Sequence, residues 1–287
     1  MILRYEASSR VHLPACAEEI AMPFMEVGDI VTHYRLDGEG AATVVFVNSL
    51  GADLEIWDDV LPPLQDPKRS ARFVRYDLRG HGLSESTPPP YSLPALANDL
   101  AGLMKALGVL KAVVCGVSLG GLVALQMAVS HPERVSGLIL CDALAKFGDA
   151  PFWKERLAAV RSKGIAFIAD GVLARWFTPS FRSTRPADVR GWRTMLLRTS
   201  SEGYLGACTA IRDADLRKDT GSARAPTLVL CGSEDEVTTP GQVRALAESI
   251  PDARFELVAG AGHLPCIEKP HALAQSIRAF LEDKRLV

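Results

Sequence analysis

Apolar residues along this chain fall into two patterns that alternate. One is a short, nearly continuous apolar run, seen in ATVVFV at 42–47, ARFVRYD at 71–77, KAVVCGV at 111–117, VSGLILCD at 135–142, PTLVLCG at 226–232 and ARFELVAG at 253–260. Most of these runs are too uniformly apolar for a strand with one wet face, so they predict strands covered on both sides. The other pattern has helical spacing and is clearest in LPALANDLAGLMKALG at 93–108, LGGLVALQMAVS at 119–130, PGQVRALAESI at 240–250 and KPHALAQSIRAFLED at 269–283. Buried strands alternating with such helices predict an α/β fold, a mostly parallel sheet flanked by helices. Ahead of them, MEVGDIVTHYRLDG reads as two extended pieces around Gly28-Asp29, a hairpin signal.

The alternation fails once. Residues 143–218 hold helix-like stretches such as FWKERLAAVRSKGIAFIADGVLARWF and no strand run. This predicts an all-helical cap inserted after strand 6, lying over the sheet as one wall of a pocket. The division that follows is a core of residues 23–142 and 219–287, a cap of 143–218, and an N-terminal extension of 1–22 with no assignable role.

Composition narrows the function. With 48% hydrophobic residues a sizeable core is available, and the net charge of -2 comes from 32 basic and 34 acidic residues scattered without long blocks. That leaves no electrostatic footprint for nucleic acid or an anionic membrane, so the expected partner is a small molecule. Ala112 to Ser130 carries no charge and is long enough to span a bilayer, but Gly116, Ser118, Gly120 and Gly121 interrupt it. Strand, tight turn and helix is the better parse. The cysteines at 16, 115, 141, 208, 231 and 266 show neither CxxC spacing nor a nearby His pair, which argues against a zinc site. Three of them, Cys115, Cys141 and Cys231, lie in apolar runs as reduced thiols would, and MILRYEASSR is broken by Arg4, Glu6 and Arg10, so no secretory signal is visible. A cytoplasmic protein is expected. Oligomeric state leaves no mark in the sequence.

The chemistry starts at that turn. Gly116-Val117-Ser118-Leu119-Gly120 fits G-x-S-x-G between a strand and a helix. In a nucleophile elbow the residues two before and two after the serine must lack side chains, and the hydroxyl is presented at the helix N-terminus, where free N–H groups face a developing oxyanion. A phosphate loop would need a lysine after the second glycine, and a dinucleotide turn would need GxGxxG; neither pattern is met. Of the histidines at 12, 33, 81, 131, 263 and 271, His263 stands in a glycine-rich loop directly after the last strand, where its ring can reach Ser118. The third member must be a carboxylate. Asp235, at the end of the preceding strand, gives the chain order Ser, Asp, His, with Asp142 and Glu234 as rivals. Leu119 N–H is one oxyanion donor, and Leu50, in Asn48-Ser49-Leu50-Gly51 after the strand VVFV, supplies the second, with Asn48 as a brace.

These residues resemble the α/β-hydrolase fold family from about residue 24 onward, through GVSLGG, YDLRGHGLSE at 76–85, GSEDEVTTP at 232–240 and GAGH at 260–263. Within it the chain is similar to the 3-oxoadipate enol-lactonases, in NSLGADLEIWDDVLPPL at 48–64 and in the cap segments RWFTPSF at 175–181 and EGYLGACTAIRDADLR at 202–217. The first 22 residues have no counterpart. The resemblance implies hydrolysis of an enol-lactone without cofactor or metal. Such a substrate carries a carboxylate, so a local cation is expected, with Arg175, Arg182 and Lys154 available in the cap and Trp153 as a pocket wall. Asn48, Ser49 and Asp142 are further candidates for the pocket lining. The same three residues would also serve another esterase, lactonase, perhydrolase or carbon–carbon hydrolase, and a ligand-binding protein on this fold is the non-enzymatic alternative. A dehalogenase or epoxide hydrolase would need an aspartate in place of Ser118.

Overall fold

A computed structural model describes residues 23–65 and 71–287, so the extension at 1–22 lies outside the described residues. Among the described residues, eight strands form one sheet in the order β1-β2-β4-β3-β5-β6-β7-β8. β1 (Phe24–Val27) and β2 (Ile30–Asp37) are the expected hairpin, and Gly28 takes the left-handed φ of 61° that the tight turn needs. β2 runs antiparallel to β4 (Ala71–Tyr76). The remaining neighbours, from β4 through β3 (Ala42–Val47), β5 (Ala112–Val117), β6 (Val135–Cys141), β7 (Thr227–Gly232) and β8 (Arg254–Val258), are parallel. Val44 to Val47 and Val113 to Cys115 are wholly buried, as strands covered on both faces must be.

α1 (Leu93–Ala106) and α2 (Leu119–Ser130) pack side by side against the sheet. Every residue of α2 from Leu119 to Ala128 is buried, which is why that stretch carries no charge. Among the described residues no helix is long and apolar enough to cross a membrane.

Between β6 and β7 the chain makes five α-helices and no strand: α3 (Ala150–Lys163), α4 (Ile165–Trp176), α5 (Pro179–Thr184), α6 (Pro186–Arg198) and α7 (Ser201–Asp213). Side-chain caps start several of them, with Asp149 accepting from Phe152 N–H at 2.9 Å and Thr178 from Phe181 N–H at 3.1 Å. The stem of this insertion is closed by Leu216 N–H donating to the Ala145 carbonyl at 2.9 Å. Its far side rests backbone to backbone on the core, since a Cβ on Gly203 would come within 2.2 Å of the Gly80 carbonyl oxygen. After β7 come α8 (Pro240–Ser249), then, beyond β8, a one-turn α9 (Pro265–Glu268) and α10 (Pro270–Asp283). α9 lacks an apolar periodicity long enough to announce it in the sequence.

Candidate active site

All the parallel strands point their C-terminal ends at one rim, where ligands of open α/β sheets bind. β5 ends there in the turn to α2. Ser118 occupies it with φ 57° and ψ −114°, a strained conformation for a residue with a side chain. The flanking glycines are a packing necessity. A Cβ on Gly116 would stand 2.1 Å from the Gly120 carbonyl oxygen, and one on Gly120 would stand 2.2 Å from that of Val47. Backbone runs through the space that side chains would occupy, so the serine sits where only G-x-S-x-G can be built.

The loops after β7 and β8 bring the other two groups to it. His263 Nε2 lies 2.9 Å from Ser118 Oγ, and His263 Nδ1 lies 2.9 Å from Asp235 Oδ2. Asp235 is itself held by its own turn: Oδ1 accepts from the N–H groups of Val237 at 2.7 Å and Thr238 at 3.2 Å, and Oδ2 accepts from the Thr238 hydroxyl. Burial would raise the pKa of Asp235, but the charge and hydrogen bond of His263, with the Thr238 and Val237 donors, outweigh it and hold the carboxyl below its ordinary range. A carboxylate that is ionised and bonded to Nδ1 leaves Nε2 free to face the serine hydroxyl. Ser118, Asp235 and His263 are each at least nine-tenths buried.

Asp142 is placed differently from the sequence expectation. It ends β6 at the adjacent strand, is wholly buried and does not line the pocket. Its Oδ1 accepts from Gly232 N–H at 2.7 Å, and its Oδ2 has no hydrogen-bond partner among the described residues. Burial, and then the charge of Asp235, push the Asp142 carboxyl well above the usual range. Asp142, Cys231 and Asp235 bring one donor atom each within 4.8 Å of one another, and burial and the two aspartates push the Cys231 thiol up. Asn48 likewise lies behind the site instead of lining it. Its amide donates to the carbonyls of Ser49 and Ala52, and its Oδ1 accepts from Leu78 N–H at 3.2 Å, which makes it the brace of the loop after β3. Glu234 lies one residue from Asp235 and takes no part in the contacts of His263.

Leu50 and Ser49 line the pocket from that loop, while Leu119 is buried at the first turn of α2. Neither Leu50 N–H nor Leu119 N–H has an acceptor among the described residues. Leu50 thus carries an unengaged donor at the pocket wall, and Leu119 another beside Ser118.

The pocket above Ser118 measures about 640 Å³ and is roofed by the cap, with Trp153, Trp176 and Phe152 among its walls. Trp153 Nε1–H is spent on the Phe147 carbonyl at 2.8 Å, so this residue offers the pocket its apolar face. Four cations line it: Lys146, Arg156, Arg175 and Arg217. Lys146 and Arg217 are both engaged with Asp215, at 3.5 and 2.6 Å. Arg156 and Arg175 have no carboxylate partner among the described residues; both lie over the Phe152 ring, at 5.6 and 5.2 Å, and Arg156 donates to the Tyr204 hydroxyl at 3.0 Å. Partial burial, and then the charge of Arg156, press the Arg175 guanidinium below its ordinary value. Arg182 and Lys154, equally available in the sequence, do not line this pocket. Arg156 was legible in principle, because it follows Trp153 by three residues on α3 and so shares its face. Tyr204 and Thr238 carried no such signal.

The other histidines are elsewhere. His33 pairs with Asp77 at 2.7 Å, His81 Nδ1 is bonded to the Arg79 carbonyl at 3.1 Å and His131 to Asn98 at 3.0 Å. His271 lines a separate groove between the cap and the core, and His12 falls outside the described residues.

Residues 42–270 match the model of the alpha/beta hydrolase fold family. The chain is 33% identical over 255 residues to 3-oxoadipate enol-lactonase 2 of Acinetobacter baylyi, covering 88% of this chain and 94% of that protein. The crystal structure of an enol-lactonase from Burkholderia xenovorans superposes with a TM-score of 0.87 at 37% identity, covering 91% of this chain and all of that one. A thermophilic esterase from Thermogutta terrifontis, solved with malate bound, gives a TM-score of 0.84 at 32% identity over 89% of this chain and 94% of its own.

Proposed function

The chain belongs to the α/β-hydrolase fold family, and from that premise we propose that it is a serine hydrolase that opens the ring of 3-oxoadipate enol-lactone or a close analogue. The observation that carries the reading is the continuous line of contacts from Ser118 Oγ through the His263 ring to Asp235, at the floor of a pocket of a small molecule's size. In this mechanism Ser118 Oγ attacks the lactone carbonyl as His263 Nε2 takes its proton. Asp235 fixes the imidazole tautomer and stabilises its cation. The N–H groups of Leu119 and Leu50 receive the oxyanion. Collapse breaks the ring ester bond and releases an enolate on the same chain, which His263 protonates and which relaxes to the ketone. Water then attacks the acyl-serine with His263 again as base, and the second collapse returns the proton to Ser118 and frees 3-oxoadipate.

The charge of the pocket supports the substrate. Arg156 and Arg175 are two guanidiniums with no carboxylate in ion-pair contact among the described residues, beside an apolar wall, suited to the carboxylate that the enol-lactone carries at a distance from its ring. Malate, bound by the Thermogutta esterase, is a dicarboxylic acid, as is the proposed product. The division of labour is a core of residues 23–142 and 219–287 that holds the reacting groups and a cap of 143–218 that reads the substrate. The cysteines at 115, 141, 208, 231 and 266 are buried and unpaired, which fits the reducing cytoplasm.

The test is a comparison of kcat/KM for the enol-lactone and for a neutral p-nitrophenyl ester, in the wild type and in Arg156→Ala and Arg175→Ala. Loss of a buried charged partner predicts a decline of roughly 10- to 100-fold on the lactone and less than about threefold on the ester. A wild type that prefers the neutral ester, or variants that lose both activities equally, would contradict the substrate.

A further inference from the structure

The loop that carries His263 is tied to the cap by a single carboxylate. Glu268, on α9 five residues after the histidine, accepts from Gly262 N–H through Oε2 and from both Thr178 N–H at 2.8 Å and the Thr178 hydroxyl at 3.0 Å through Oε1. Thr178 belongs to the segment joining α4 to α5, and its hydroxyl also caps α5. One residue pair away, the Trp176 carbonyl accepts from His263 N–H at 3.1 Å and from Leu264 N–H at 3.3 Å. Trp176 itself lines the pocket. The peptide before the histidine, the peptide after it and the cap segment 176–178 are thus sewn together within a few ångströms. No room is left for slack, because a Cβ on Gly262 would stand 3.0 Å from Glu268 Oε2, 3.1 Å from the Trp176 carbonyl oxygen and 3.2 Å from Thr178 N.

This arrangement exceeds what a structural anchor requires. Asp235 is held by its own turn, and Ser118 by the β5–α2 turn, without help from the cap. Of the three reacting groups, His263 alone takes its backbone position from the cap. We propose that Glu268 is a positioning residue, coupling the seating of the cap against substrate to the alignment of the His263 ring between Asp235 and Ser118. The inference rests on the reading of His263 as the general base. Its physical content is that a carboxylate accepting three N–H and O–H donors holds its partners more firmly than a neutral acceptor would, and that proton transfer tolerates little misplacement of the base.

Two substitutions separate this role from simple stability. Glu268→Gln keeps an oxygen for Thr178 but turns an N–H₂ toward Gly262 N–H, breaking the link on the histidine side. Thr178→Val removes the hydroxyl's bond to Glu268 and, with it, the cap on Phe181 N–H, and keeps the Thr178 N–H bond to Glu268. The readouts are the second-order rate at which a fluorophosphonate modifies Ser118, kcat and KM on a p-nitrophenyl ester, and the thermal midpoint. The expected result for Glu268→Gln is labelling and kcat both slowed about tenfold, with KM within about twofold and a folded protein throughout; Thr178→Val should slow labelling about threefold. Wild-type labelling rates in both folded variants would overturn the role of Glu268, and should Glu268→Gln not fold, a wild-type rate in Thr178→Val does so alone. Absence of labelling in the wild-type protein would instead remove the premise about Ser118 and His263.

Discussion

Two aspartates stand side by side at the ends of β6 and β7, and their surroundings push their carboxyl pKa values in opposite directions. Asp235 gathers four hydrogen-bond contacts, one of them from the imidazole, all of which favour its anion. Asp142 has one donor, complete burial and a like charge beside it, all but the first of which favour the neutral acid. Replacing Asp235 by Asn should therefore cost about 10⁴-fold in kcat, because the amide presents the wrong tautomer partner to Nδ1. Asp142→Asn keeps the acceptor for Gly232 N–H and should cost less than about tenfold. Steady-state kinetics of the two variants side by side decide the matter, and a larger loss at 142 would reverse the assignment. The sequence showed both carboxylates at strand ends but could not rank them by contact, since that ranking depends on which loop curls toward the imidazole. Asn48 was open to the same ambiguity: its position in the loop was legible, its inward rotamer was not.

At the scale of elements, the turn between β5 and α2 is determined by close backbone packing. Its glycines were readable because the reason for them is local: strand, reversal and helix within five residues leave no volume for side chains. Gly120→Ala would drive a Cβ into the Val47 and Asn48 backbone, so it should destabilise the fold by roughly 3 kcal/mol and remove activity with it. A chemical denaturation curve checks this, and an unchanged midpoint would mean that the turn can relax. The five buried strand runs β3 to β7 and the helices 93–106 and 119–130 were legible from periodicity, for burial on both faces leaves little choice of residue, whereas the edge strand β8 leaves Arg254 and Leu257 exposed. The one-turn α9 and its Glu268 were not, since four residues carry no period and two of the three donors to that carboxylate come from residue 178, 90 positions away.

At the scale of the whole molecule, the candidate active site is a junction of core and cap, and a partly buried acid in the loop after β3 makes the stability of the fold depend on pH. Asp53, which accepts from Glu55 N–H at 3.0 Å just past the Ser49-Leu50 segment, has its carboxyl pushed up to about 6 by burial and by the charge of Asp77. A raised acid binds its proton more tightly in the folded state, so stability contributed by that proton is complete below about pH 4 and declines as pH rises toward 6. Asp53→Asn keeps the acceptor and should raise stability at pH 7 by about 1–2 kcal/mol, after allowance for solvent screening, with no gain near pH 4. Thermal melts at the two pH values test it; an equal gain at both would place the effect elsewhere. The cap was visible in the sequence as a failure of alternation, but the pairing of its cations was not, because Arg156 and Arg175 are distinguished from Lys146 and Arg217 only by which of them Asp215 neutralises. Everything in the functional reading passes through one nucleophile, and it can be tested on the native protein. Incubation with a fluorophosphonate followed by peptide mapping should place a single adduct on Ser118 and none in His263→Ala under the same conditions. A folded wild-type protein that takes no adduct, or takes it on another residue, would contradict the account.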